Sequence, residues 1–189
     1  MPSFEILNSH NRMPTILAFG ASTSTHSINK QFANYAGNAL PDVELNLVDL
    51  NDTPLPLYSV DEESAQGVPA AAKAFVQLIE QADGIIVSLA EHNGCYSAAF
   101  KNLLDWSTRH KHKVWSDKPM LLLSTSPGAR GGASVLELAT KTFPHLGANV
   151  IASFSLSSFG DSFSTKDGFK DEALKQTFAR KLAEFRAVL

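Results

Sequence analysis

The chain of 189 residues is 44% hydrophobic and 19% charged, a balance that suits one soluble globular domain with a substantial core. Its net charge of −3 gives no electrostatic case for nucleic acid or an anionic membrane, and no apolar run reaches the roughly 18 residues of a membrane span. The single cysteine, Cys95, excludes an internal disulfide, and no Cys/His spacing forms a metal site, so a reducing cytoplasm is the expected location.

Residues 1–12 carry no pattern or signal-peptide character and read as a short extension with no function assigned; 13–189 form the expected single domain. TILAFG (15–20) predicts a buried strand, and 27–40 a helix with Ile28, Phe32, Tyr35 and Ala36 on one face. VELNLVDL (43–50) alternates as an outer strand does, and NDTPLPLYSVDEESAQG (51–67), with two prolines, predicts a loop. A helix is expected over 69–81 with Phe75, Leu78 and Ile79 inward, then a fully apolar strand at 84–90 and a helix over 98–110. PMLLLST (119–125) predicts a further apolar strand, 133–143 a helix, ANVIASFSL (148–156) the last strand and 171–188 the closing helix. Short strands alternating with helices of about a dozen residues predict an α/β three-layer sandwich. Its five-stranded parallel sheet takes the flavodoxin-like order 2-1-3-4-5. Ligands of such sheets bind beyond the carboxyl ends of the strands, where the strand order reverses.

Three loops fall at that edge. In the first, Ser22, Thr23, Ser24, Thr25 and Ser27 supply hydroxyls next to the amides of a helix start, and Gly20 is its single glycine. A Walker loop ends in Gly-Lys-Ser/Thr and a dinucleotide fingerprint needs three spaced glycines, so neither applies. One hydroxyl satisfies a helix cap, whereas five together with a helix dipole predict a phosphate site. In the second loop, Asn93-Gly94 suits a tight turn with positive φ whose amides stabilise charge on a planar ring. Glu91 would cap the turn or touch the ligand, and His92 would lie against the ring or bond nearby backbone. The third, STSPGARGGA (124–133), joins a proline to three glycines and would form a further wall of the site.

Together these loops resemble the NADPH-dependent FMN reductase family, which includes quinone, chromate and azo reductases. ASTSTHSIN (21–29) aligns with the family's Gly-Ser-x-Arg-x-x-Ser-x-Asn phosphate loop, with Ser22, Ser27 and Asn29 on matching positions, Ser24 in place of the arginine and Ala21 in place of the glycine. Ala90 to Cys95 aligns with Pro-Glu-Tyr-Asn-Gly-Ser, with His92 for tyrosine and Cys95 for serine. Lys101-Asn102 and Asp105-Trp106 match the Leu-Lys-Asn-x-x-Asp-Trp that follows, and 126–128 and 131–133 match the third motif. The resemblance spans the chain from Met13. It implies an oxidoreductase that binds FMN through Ser22, Ser24, Ser27, Ile28, Asn29, Glu91, His92, Asn93, Gly94, Ser126, Pro127 and Gly128. It also implies a homodimer, with pairing into tetramers left open, and two-electron reduction of a quinone or similar small acceptor, or of free flavin, by NADPH or NADH. No side chain need be catalytic and no metal is implied; the flavin carries the chemistry.

Two other readings compete. A flavodoxin-like electron carrier would bind FMN without oxidising NADPH itself. A cysteine phosphatase would use Cys95, with Cys95-x5-Lys101 as its loop, although lysine replaces the arginine that grips phosphate bidentately. A response-regulator role fails because no acidic pair follows the first strand. The basic run STRHKHKVW (107–115) reads as a solvated helix end, with the 2′-phosphate of NADPH or a neighbouring subunit as its alternative partner. Trp106 and Trp115 read as core or interface aromatics.

Overall fold

The computed structural model describes residues 12–189, so most of the expected N-terminal extension lies outside the described residues. Arg12 is fastened to the domain: its guanidinium donates to both carboxylate oxygens of Asp83 at 3.0 and 2.7 Å. Five parallel strands form the central sheet: β1 (Thr15–Ala21), β2 (Glu44–Val48), β3 (Gly84–Leu89), β4 (Pro119–Thr125) and β5 (Asn149–Leu156), in the order β2-β1-β3-β4-β5. This is the flavodoxin-like topology that the alternation of elements predicts. Burial follows the sheet order. The central strands β1, β3 and β4 are buried along nearly their whole length and read as continuous apolar runs, whereas the edge strand β2 has no buried position and β5 alternates buried with partly exposed ones.

Because side chains alternate across a strand, each central strand feeds two cores. Leu17, Phe19, Ile85, Val87 and Leu122 meet α3 (Ala70–Gln81), α4 (Ala98–His110) and α5 (Ala133–Thr142) on one face. Ile16, Ala18, Ile86, Leu121 and Leu123 meet α1 (Ile28–Asn38) and α6 (Glu172–Arg186) on the other. Phe32 of α1 sits within 6.2 Å of the rings of Phe154, Phe163, Phe169 and Phe178. This cluster seats segment 157–170, where the sequence shows no element; it holds a single helical turn (Phe159–Ser162) and a small ribbon, Phe163–Ser164 against Gly168–Phe169.

The expected loop over 51–67 is partly helical: α2 spans Val60–Gln66. Its signal is local. Ser59 accepts from the Glu62 amide at 3.0 Å, the side-chain half of a Ser-x-x-Glu capping box, and Asp61, Glu62 and Glu63 complement the helix dipole. No residue of α2 is buried, so apolar periodicity is silent about it. Ser59→Ala is therefore expected to cost about 1 kcal/mol locally, read as faster amide hydrogen exchange at Glu62 and Glu63 with the sheet amides unchanged. The rest of the loop is clamped to α4. Asn102 accepts from the Tyr58 amide at 2.9 Å and donates to the Pro56 carbonyl, which also receives the Trp106 indole N–H at 2.8 Å. Trp106 and Trp115 are both fully buried.

Candidate functional site

The carboxyl ends of β1, β3 and β4 converge on a cleft of about 260 Å³. Ser22, Ser24, His26, Ser27, Ile28 and Asn29 line it from the first loop, Ala90, Glu91 and His92 from the second, and Thr125, Ser126 and Pro127 from the third. The first loop is short because the chain turns tightly between β1 and α1. The Ser22 amide bonds back to the Gly20 carbonyl at 2.8 Å, and the Ser27 amide to that of Ser24 at 3.1 Å. Ser27 caps α1, its Oγ accepting from the Lys30 amide at 3.2 Å. The Ser22 Oγ accepts from the Ser24 amide at 3.2 Å. Both hydroxyls thus serve as acceptors and keep their protons to donate. The amides of His26, Ile28 and Asn29 have no acceptor among the described residues. The result is a concave set of neutral donors at a helix N-terminus, with no lysine or arginine lining it. Thr23 and Thr25 turn away into neighbouring hollows, so the five hydroxyls expected to act together divide, and three of them face the cleft.

Asn29 lines the cleft, and most of its side-chain hydrogen bonding is spent within the protein. Its Oδ1 accepts from Ser88 Oγ at 2.8 Å and from the Thr125 amide at 3.1 Å, while its Nδ2 donates to the Thr125 carbonyl at 3.1 Å. At 3% exposure it ties the ends of β3 and β4 to α1, and beyond this knot it keeps its backbone amide and the second Nδ2 hydrogen.

The second loop is a two-residue hairpin. Glu91–His92 pairs antiparallel with Cys95–Tyr96 around Asn93 (φ 53) and Gly94 (φ 77), both left-handed as a type I′ turn requires. This geometry carries Asn93 and Gly94 to the hairpin tip, outside the residues lining the cleft, and a Cβ on Gly94 would meet nothing within 4 Å. The wall facing the cleft is Ala90 to His92. Glu91 also braces a neighbouring helix, its Oε2 accepting from the Val135 amide at 3.0 Å in the first turn of α5. The cap position of that helix is Gly132, which has no side chain to do so. Glu91→Ala is expected to destabilise the protein by about 1 kcal/mol and Glu91→Gln by less than half of that, since glutamine keeps the acceptor; denaturant midpoints decide it. At the far end of the hairpin, Tyr96 bonds Thr142 through its hydroxyl at 2.9 Å, and burial pushes its phenol pKa up.

Cys95 is exposed on the ribbon and begins no helix; α4 starts at Ala98 behind its own cap, Ser97. Lys101 lies within α4, bonded to Asp105 at 2.7 Å. A phosphatase loop needs the intervening amides to encircle the thiolate, and a helix cannot do that. The basic run is likewise engaged: Arg109 pairs with Glu63 and Lys111 with Glu80.

In the third loop, Ser126 and Pro127 face the cleft while Gly128 lies behind them. The carbonyls of Ser126 and Gly128 accept from the amides of Phe159 and Ser158, both at 3.0 Å. The aromatic cluster that seats 157–170 thereby holds this wall. Gly131 packs against Leu156 and accepts through its carbonyl from Ser124 and Ser155. His26, Ala90 and Thr125 were absent from the sequence expectation. Thr125 ends β4, Ala90 directly follows β3, and His26 sits between two hydroxyl positions, so nothing in composition marks them.

The donor set suits the oxygens of a phosphate monoester. The space between the Ala90–His92 and Thr125–Pro127 walls continues the cleft for the rest of an elongated ligand. Each charge-assisted hydrogen bond is worth about 1.5–3 kcal/mol and the helix terminus about 0.3–1 kcal/mol, so neutral donors suffice.

The sequence profile of the NADPH-dependent FMN reductase family matches residues 14–161. The chain is 32% identical over 152 residues to an NADPH:quinone oxidoreductase of Arabidopsis thaliana, covering 79% of this chain and 76% of that protein. It is 39% identical over 109 residues to a 2-hydroxy-1,4-benzoquinone reductase of Burkholderia sp, covering 57% of each. A flavoenzyme NAD(P)H:(acceptor) oxidoreductase of Paracoccus denitrificans superimposes with a TM-score of 0.73 at 22% identity, over 92% of this chain and 96% of that one, a likeness of fold.

Proposed function

The chain belongs to the NADPH-dependent FMN reductase family, and we propose that it reduces a quinone or similar small acceptor by two electrons taken from NADPH or NADH through FMN held in this cleft. The observation that carries the proposal is the cluster of unpartnered donors at the α1 N-terminus, opening onto a cleft walled by the second and third loops. FMN, when bound, supplies the hydride chemistry. The chain's residues hold and orient it: the hydroxyls of Ser22, Ser24 and Ser27 and the amides of His26, Ile28 and Asn29 grip the phosphate end. Ala90 and His92 face Ser126 and Pro127 across the remaining length. Glu91 and the 157–170 segment keep the two walls at fixed separation, since each is bonded to a neighbouring element rather than to the ligand. Glu91 accepts from Val135 and Cys95 stands on the second strand of the hairpin, outside the cleft lining, so neither is given a proton-transfer role. Among the described residues no helix is long and apolar enough to cross a membrane. A homodimer in the cytoplasm remains part of this proposal.

The test is the visible absorption of the protein with FMN, before and after NADPH under anaerobic conditions, followed by turnover with 1,4-benzoquinone. Flavin bands that bleach with NADPH and recover with the quinone are expected, with parallel double-reciprocal plots. Bands that form but resist NADPH would instead indicate a carrier. Ser27→Ala is expected to weaken FMN about tenfold, the loss of one hydrogen bond, and to leave riboflavin, which lacks the phosphate, unchanged.

A further inference from the structure

On the outer side of the phosphate loop lies a second cavity, of about 290 Å³, separated from the cleft by a septum only as thick as His26 and Ser27, which line both. Its floor is apolar, made by Val48 and Leu47 at the end of β2, and Leu47 remains 48% exposed. Polar groups surround that floor. Lys30 reaches across to Asp49 in an ion pair, while the Gln31 amide and the Asp52 carboxylate have no hydrogen-bond partner among the described side chains. An aliphatic shelf thus lies beside donors and acceptors without protein partners, next to the anion site. The volume lies at the lower end of small-molecule sites, roughly 300 Å³.

We propose that this cavity is an adenylate subsite, which takes the AMP moiety of a dinucleotide whose other half occupies the cleft. The proposal rests on the flavin reading of the cleft. The chemistry is sorted along the cavity. A planar purine would cover Leu47 and Val48. The ribose diol would reach the carboxylate of Asp52, in the 3-10 turn Leu50–Asp52 that follows β2. The phosphate would return over the septum, between His26 and Lys30. Two dinucleotides of this reaction class, FAD and NADH, carry AMP with a free ribose diol, and the same pocket chemistry serves either; the 2′-phosphate of NADPH would oppose Asp52.

The deciding experiment is equilibrium dialysis of AMP against the protein saturated with FMN, so that the phosphate loop is already filled. Stoichiometric binding is expected, weakened at least tenfold by Gln31→Trp, which fills the cavity from α1, and about fivefold by Asp52→Ala, a small change on an exposed residue. FMN affinity should stay within twofold in both variants. If FAD is the source, it binds more tightly than FMN and Gln31→Trp removes the difference. If NADH is the source, FAD and FMN bind alike and Gln31→Trp raises KM for NADH at unchanged kcat. Absence of AMP binding, or binding indifferent to both variants, overturns the proposal. Should FMN itself fail to bind, the flavin reading falls alone, because AMP binding to the FMN-free protein with the same dependence on Gln31 and Asp52 still identifies the cavity.

Discussion

Gly20→Ala is expected to abolish measurable FMN binding and to destabilise the fold by about 3 kcal/mol or more, the upper range for overpacking. A Cβ at this position would overlap the Lys30 amide nitrogen and lie 2.6 Å from the Lys30 Cα and 2.8 Å from the Asn29 carbonyl carbon. All three are backbone atoms of the first turn of α1, which cannot swing aside as a side-chain tip can. The helix rests directly on the end of β1 because Gly20 has no side chain, and the same contact aims the Ile28 and Asn29 amides into the cleft. Lifting the helix by even half an ångström moves every donor of the phosphate loop relative to the walls on β3 and β4. Gly94→Ala is the matched control. It meets nothing within 4 Å and carries only the strain of φ 77, so a loss of about 1 kcal/mol and little change in FMN affinity are expected. Urea midpoints and FMN fluorescence titrations of the two variants test the contrast, and equal effects would show that Gly20 matters only for its flexibility.

Much of this architecture is written locally in the chain. The apolar runs at β1, β3 and β4 announce strands covered on both faces, and the alternating run at β2 announces an edge. The hairpin at Asn93-Gly94 is equally legible, since the dipeptide demands positive φ. What the chain does not announce is which polar group spends itself on the protein. Asn29, Glu91 and the hydroxyls of the first loop look alike as polar groups for a ligand, yet the Asn29 Oδ1 is taken by Ser88 and Thr125, and Glu91 accepts from Val135. Those partners lie 44 to 96 residues away in sequence, so no local pattern reveals them. Segment 157–170 is hidden for a related reason. Its phenylalanines keep no sustained strand or helix period, because Phe163 and Phe169 pack on Phe32 and Phe159 on Phe163 rather than along an element of their own.

Asn29→Ala tests whether that knot sets the geometry of the site. Removing the amide leaves the Ser88 hydroxyl and both the amide and carbonyl of Thr125 without partners in a region closed to water. Each unsatisfied buried group costs about 1–3 kcal/mol, so a loss of about 3–5 kcal/mol is expected, together with weaker FMN binding as the ends of β3, β4 and α1 come apart. Asn29→Asp separates the two effects. It keeps the Oδ1 acceptor for Ser88 and the Thr125 amide but sets a second carboxylate oxygen against the Thr125 carbonyl, and it brings a negative charge to a cleft lined by no lysine or arginine. If the knot acts by holding the strands, the two variants lose stability to a similar degree. The aspartate then loses FMN more steeply than riboflavin, because its charge opposes the phosphate, whereas the alanine loses both flavins in parallel. An alanine variant that kept its stability within 1 kcal/mol and its FMN affinity within twofold would detach Asn29 from the site, and the phosphate loop would then stand on the Gly20 contact and the Ser27 cap alone.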